Sequence, residues 1–386
     1  MKHNWEYKRL DEVCTIKSGY TPSSDDLATD GDFPYFKVAE MNLSGNEKYL
    51  IHSPSYISGN IKTFPANSIV FPKNGAAVST NKKRILQVAS VVDLNTAVMI
   101  AHQNISAEYL YYILINIDFA TLVKRGAVPT LNIPELKKIN IPIPPMKVQE
   151  QIVAELDKIN EVIADCRELL RNLDTLAQSL FYDYFGDPIT NPKGWDRKPL
   201  MNAVIEMFLG PFGSALKTDC YVSKDNAFAM VYEQKHAIKK TLEQENHFIN
   251  KEKFMSLKRF EVIPLDFIMS CRGTIGQLYQ IPENSPRGII HPSLMKIRLN
   301  STTYNPVFFK FLLPIIIKEQ QTKGNCVQMA ITAKELGSKK LPVPPLALQE
   351  KFAERIEAIE EQKKAVEQTI AELQTLLDSR MDYWFN

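Results

Sequence analysis

The stretch "IPIPPMKVQEQIVAELDKI" runs from Ile141 to Ile159, and "LPVPPLALQEKFAERIEAI" runs from Leu341 to Ile359. Pro142, Pro144, Pro145, Gln149, Glu150 and Ile159 in the first match Pro342, Pro344, Pro345, Gln349, Glu350 and Ile359 in the second. After each proline pair the apolar residues recur in alternating steps of four and three. The first series is Ile152, Leu156, Ile159, Ile163, Cys166, Leu170, Leu173, Ala177, Leu180 and Tyr184. The second is Phe352, Ile356, Ile359, Lys363, Val366, Ile370, Leu373, Leu377, Arg380 and Trp384. This spacing predicts two heptad helices, unbroken by Pro or Gly, with Pro145 and Pro345 in the first turn where a missing N–H costs nothing. Gly186 followed by Asp187 and Pro188 ends the first helix. A helix of about 39 residues is roughly 58 Å long at 1.5 Å per residue.

A helix of that length cannot bury its apolar stripe against itself. Two readings follow: each packs on its own globular neighbour, or the two pack on each other as a coiled coil. Shared length, phase and starting point favour the coiled coil, with Lys363 and Arg380 snorkelling out of the seam and fixing its register. The chain is therefore read as two copies of one unit. Residues 1–145 form a first globular domain, 146–186 a first spacer helix, 187–345 a second globular domain and 346–386 a second spacer helix. Fainter echoes link the globular parts. "WEYKRLDEV" from Trp5 matches "WDRKPLMNAV" from Trp195, and "PANSIVFPKNG" from Pro65 matches "PLDFIMSCRGT" from Pro264, which sets Lys73 opposite Arg272. β-branched and aromatic runs mix with short helical stretches such as "SAEYLYYILINI", so each globular part is expected to be α+β.

With 386 residues, 45% hydrophobic and 23% charged, the chain is of globular type and too long for one ordinary core. The net charge of +2 hides an uneven distribution. Residues 1–145 hold 15 basic and 13 acidic side chains, and residues 186–345 hold 22 and 14, a net of +8. The helices at 146–185 and 346–386 hold 4 against 8 and 5 against 9, a net of −4 each. A basic second domain between acidic helices points to a polyanion at the domain and a protein partner at the helices. Five cysteines without a CxxC pair (Cys14, Cys166, Cys220, Cys271 and Cys326) indicate reduced thiols and a cytoplasmic setting. The run "VFFKFLLPIII" is too short and too interrupted to span a membrane.

No phosphate-binding P-loop, dinucleotide fingerprint, HExxH or Cys/His cluster occurs. "NPKGW" and "NPVFF" only partly resemble the Asn-Pro-Pro-aromatic quartet of amino-methyltransferases, and "GPFGSALK" from Gly210 lacks the spacing of a phosphate loop. The sequence argues against an enzyme. It resembles the specificity subunit of type I restriction–modification systems over essentially its whole length. The resemblance rests on "VCTIKSGYTPSS", "GDFPYFKVAEMN", "TLNIPELKKINIPIPPMKVQEQIV" and "LPVPPLALQEKF", in this order and with the duplication.

The resemblance implies two target recognition domains, each reading one half of an asymmetric, bipartite DNA sequence, joined by an antiparallel coiled coil that docks two adenine methyltransferase subunits. Restriction and translocase subunits complete such complexes. S-adenosylmethionine, ATP and magnesium belong to those partners, and the specificity subunit itself catalyses nothing. The alternatives are a recognition region related to fused methyltransferase–nucleases and a coiled-coil adaptor that reads no sequence. Candidate DNA contacts are cations in turn-rich loops, because Lys and Arg on phosphates set affinity while side chains at base edges set specificity. In the first domain they are Lys73 and Asn74, the cluster Lys82, Lys83 and Arg84, and Lys124 with Arg125. In the second they are Lys217, Lys235, Arg272 beside Gly273, and Lys323, with Lys239 and Lys240 adding charge nearby. Tyr20 is a further candidate for stacking.

Overall fold

The computed structural model describes residues 5–124, 126, 128–323 and 330–385. The chain divides into two compact units, one of residues 1–168 with 367–386 and one of residues 169–366. Each unit takes half of each long helix, Met146–Phe185 and Leu346–Phe385. No helix among the described residues is long and apolar enough to cross a membrane.

The first unit is built on a five-stranded sheet in the order Cys14–Ser18, Thr96–Ala101, Ile69–Pro72, Arg84–Leu86, Tyr49–Leu50. All pairs are antiparallel except the last. A three-stranded sheet, Tyr56–Ile57, Phe33–Phe36, Val91–Val92, and two strand pairs, Glu6–Arg9 with Asn140–Ile143 and Val123–Lys124 with Thr130–Leu131, complete it. The second unit repeats the core of this plan with a four-stranded sheet: Val204–Leu209, Leu294–Leu299, Phe267–Ser270, Leu278–Gln280. A second four-stranded sheet stands beside it, and Arg197–Pro199 pairs with Lys340–Pro342 as Glu6–Arg9 pairs with Asn140–Ile143. Both units are α+β.

The long helices are core elements as well as partners of each other. In the first unit Ile152 and Leu156 share one cluster with the sheet, the helix Ala107–Asn116 and Met381. In the second unit Leu173, Phe181 and Phe185 join Phe352, Ile356 and Ile359 around the helix Pro306–Lys323. Both expected packings therefore occur, and they occur in the same helices. Ile159 and Ile163 are buried too, whereas Leu170, Val366, Ile370 and Leu373 are half-buried, as a two-helix seam without a third layer requires. The heptad series did not mark Phe181, Phe185 or Met381, because the stripe widens where a helix end meets its sheet.

Side-chain pairs show the helices to be antiparallel. In the second unit Asp174 meets Lys363 at 2.9 Å, while further along the first helix Phe185 meets Phe352, ring centroids 5.2 Å apart. In the first unit Glu155 accepts hydrogen bonds from the Arg380 guanidinium and, at 3.1 Å, from Trp384 Nε1. The two cations that break the apolar seam thus each find a carboxylate on the facing helix. At its C-terminus the first helix gives its carbonyls to the chain that follows. The N–H of Gly186, at φ 73°, donates to Tyr182 O, and Trp195 Nε1 donates to Phe185 O at 2.8 Å.

The duplicated Pro-Pro-x-x-x-Gln-Glu has a structural cause. Gln149 is fully buried; its amide oxygen accepts from the N–H of Ser106 at 2.9 Å, and its amide nitrogen donates to Asn104 O and Pro144 O. Gln349 is fully buried with the same three partners in kind: the N–H of Asn305 at 2.8 Å, Thr303 O and Pro344 O. Each glutamine locks the start of a long helix to the N-terminus of the helix that backs the sheet. A buried tyrosine hydroxyl supports each joint at 3.1 Å, Tyr109 donating to Pro142 O and Tyr304 to Pro342 O. Tyr109 lies three residues after its helix cap and Tyr304 one residue before, so different chain positions bring a hydroxyl to the same carbonyl.

Candidate nucleic-acid interface

In both units the ends of three adjacent strands bring their loops to one edge of the sheet. In the first unit the chain leaves Cys14–Ser18 at Gly19, whose N–H donates to Thr96 O, and leaves Ile69–Pro72 at Lys73, whose N–H donates to Asn95 O. In the second it leaves Val204–Leu209 at Gly210, bonded to Leu294 O, and leaves Phe267–Ser270 at Cys271, bonded to Ser293 O. Both glycines are required by close approach. A Cβ on Gly19 would lie 2.2 Å from Asp93 O, and one on Gly210 would lie 2.3 Å from His291 O. "GYTPSS" and "GPFGSALK" thus occupy the same place in their units.

The strand registers correct the pairing read from sequence. Ile69 faces Met99, and Phe267 faces Ile297. Lys73 O accepts from Leu131 N as Cys271 O accepts from Ile331 N, and Asn74 bridges to Thr130 as Arg272 bridges to Ala330. Arg272 therefore corresponds to Asn74, and the counterpart of Lys73 is the buried Cys271. A slip of one residue turns every side chain to the other face of the strand. The left-handed residues Asn67 and Leu265, at φ 62° and 71°, keep the true register.

Lys73 is half-buried and its Nζ donates to Ser18 Oγ at 2.8 Å. Burial lowers its pKa, against the opposing pull of Asp93. Asp93 organises the adjoining turn: it accepts from Asn95 N–H, Asn95 Nδ2, Thr21 Oγ1 and Tyr35 OH. Burial pushes its carboxyl up, but these four hydrogen bonds outweigh that and hold it below the usual carboxylate range. His291 occupies the same turn in the second unit, with Nδ1 accepting from Ser293 N–H at 3.2 Å. Burial lowers its pKa, Glu233 opposes, and His247 and Arg272 lower it further.

The cation cluster of the first unit is corrected in part. Lys83 is fully buried: its Nζ donates to Ile117 O and Asn81 Oδ1 and sits 3.9 Å from the centre of the Phe119 ring. Burial lowers its pKa to about 7, with Asp118 opposing. Because Val70 faces Arg84 and Ile268 faces Tyr279, Lys83 corresponds to the buried Leu278; it is a core position and presents no charge to a ligand. Arg84 is half-buried and donates to Lys83 O and Met41 O. Lys82 is held by Asn42 Oδ1. Lys235, likewise, pairs with Glu233 at 2.8 Å and donates to Glu245 O.

Lys124 is exposed on the hairpin with Thr130, Arg272 is exposed on the second unit's edge, and Lys217 is exposed just after the buried Leu216. Among the described residues no carboxylate lies within ion-pairing distance of these three. Gly273, at φ 64°, lets the chain turn directly after Arg272. Arg125 and the side chain of Lys323 lie outside the described residues. Tyr20 is half-buried and donates to Lys62 O, which ties its hydroxyl to its own unit. The feature that charge-based reading missed is Phe212, 88% exposed on the loop after Gly210.

An α+β unit present twice, with matching joints and differing loop tips along one sheet edge, defines a protein built from two copies of one unit. The model of the type I restriction modification DNA specificity domain matches residues 2–172 and 209–375, and the chain belongs to this family. It is 23% identical over 290 residues to the type I restriction enzyme MjaIX specificity subunit of Methanocaldococcus jannaschii, a match covering 67% of this chain and 63% of that relative. It is 23% identical over 283 residues to a putative type I restriction enzyme specificity subunit of Haemophilus influenzae, covering 70% and 66%. The chain thus spans slightly less than two thirds of the length of these curated relatives. The fold is shared with the S subunit of a type I restriction–modification system from M. genitalium, with a TM-score of 0.56 and 14% identity over 99% of this chain and 96% of that one. It is also shared with a chain from a structure of type I system assembly and conformational transition, with a TM-score of 0.63 and 18% identity over 98% and 96%.

Proposed function

We propose that this chain is the DNA-reading subunit of a type I restriction–modification complex, each unit reading one part of a bipartite, gapped target. The observation that carries the reading is the contrast between joint and tip. Gln149 and Gln349 make the same bonds, while equivalent edge positions carry Asn74 against Arg272, Tyr20 against Pro211 and Asp93 against His291. A repeated frame with different tips is what reading two different half-sites requires, because donors and acceptors at base edges must differ with the base read. Arg272 is suited to a guanine edge, Lys124 and Lys217 to phosphates.

The acidic outer faces of the long helices dock two methyltransferase subunits, and restriction and translocase subunits join the same assembly in the cytoplasm. This chain catalyses nothing; S-adenosylmethionine, ATP and magnesium are bound by the partners. The deciding experiment is genome-wide adenine methylation in the source strain with the gene intact and deleted. Loss of methylation at one gapped, two-part motif is expected. Loss at a short ungapped motif, or no change beside an active methyltransferase, would contradict the proposal. A pure adaptor would bind all sequences equally, which equilibrium binding to unrelated duplexes excludes or supports.

A further inference from the structure

Phe212 is the most exposed large apolar side chain among the described residues, at 88%. A fully exposed phenyl ring forgoes the favourable transfer of its surface out of water, which contact with a ligand would recover. The loop that carries it is fixed at both ends. Gly210 is pressed against His291 O and donates to Leu294 O, Pro211 is buried, and Leu216 is buried among Val231, Ile249 and Phe254. Between these anchors Phe212 O accepts from Ala215 N–H at 2.8 Å, which closes a tight turn with the ring at its tip. In the first unit Thr21 holds this place, and its hydroxyl is turned inward onto Asp93 at 2.9 Å.

Arg272 flanks the same turn from the other side. Gly210 bonds Leu294, and Cys271 bonds Ser293. Two strand spacings separate the loop of Phe212 from that of Arg272, about 10 Å. Gly213 and Ser214, which follow it on the turn, add no apolar side chain, so the ring stands alone at the tip, with Arg272 on the loop two strands away. Nearly complete exposure leaves both ring faces free. Contact with a thymine methyl would cover only an edge, whereas insertion between neighbouring bases would cover both faces.

We propose that Phe212 inserts into the base stack of the half-site read by the second unit and opens that step. The proposal rests on the DNA-reading function above. The full chain in complex with its methyltransferase subunits is used to select from a pool of random-sequence duplexes, as wild type, F212A and F212W. The wild type enriches a two-part motif; enrichment of none would sink the DNA-reading function itself. F212A is expected to lose roughly tenfold in affinity through one half of the motif only, F212W to retain it, and the melting temperature to stay unchanged. With 2-aminopurine moved through that half-site, fluorescence rises at one step for wild type and F212W and not for F212A. A wild-type motif with unchanged enrichment and affinity in F212A would overturn the wedge while leaving the function standing. So would weakened subunit assembly with intact DNA selection, or a silent fluorescence scan.

Discussion

The two units are built on one frame and finished differently. Where strand, long helix and backing helix meet, a buried glutamine with three hydrogen bonds and a tyrosine hydroxyl on a proline carbonyl recur. At the edge of the sheet little recurs beyond the backbone: a glycine pressed on a carbonyl, then different side chains. The difference teaches where chemistry leaves no freedom. A buried amide must satisfy every donor and acceptor it meets, so the joint is fixed to the atom. An exposed loop tip answers to its ligand alone.

The largest expected effect tests whether the joints are equivalent. Gln149→Leu and Gln349→Leu each remove three hydrogen bonds, leaving one proline carbonyl buried without a partner beside a part-buried N–H and a second part-buried carbonyl, and each should cost about 2–3 kcal/mol. Hydrogen exchange should place the loss in the first unit for one and in the second for the other. Losses differing by more than about 2 kcal/mol would break the equivalence.

Lys83 sharpens the comparison, because the second unit has Leu278 in its place. The native pKa of about 7 lies below the ordinary 10.5, so from pH 7 to 10.5 the unfolded chain holds a proton the folded chain lacks. Stability of the first unit should therefore rise with pH through that window, by roughly 2–3 kcal/mol between pH 7 and 9. In Lys83→Leu this dependence should vanish; urea midpoints at the two pH values decide it. Tyr109→Phe and Tyr304→Phe should each cost about 1 kcal/mol, equally, despite their different chain positions. Smallest are the helix cations. Arg380→Ala should cost about 1 kcal/mol, and Lys363→Ala less, since its partner Asp174 is the more solvated carboxylate.

Much of this was legible in the sequence. The proline pairs, the heptads and the Gln-Glu repeat located both long helices, and Lys363 and Arg380 were readable as register devices because a cation in an apolar seam has few other uses. The edge was harder to read. Lys83 looks like its half-buried neighbours Lys82 and Arg84, and only strand pairing reveals it as a core position. Asn74 and Arg272 correspond through hydrogen-bond register rather than through residue type, so matching Pro65 to Pro264 misplaced them by one. Phe212 carries no charge, and a search for polyanion contacts passes over it.

The central claim is that the edge positions of one unit read one half of the target. It is tested most directly by Arg272→Asn, which gives the second unit the residue of the first, in the full chain expressed with its methyltransferase, followed by genome-wide adenine methylation. The account predicts that one half of the gapped motif changes or relaxes while the other half and the gap length stay fixed. An unchanged motif, or equal relaxation of both halves, would contradict it.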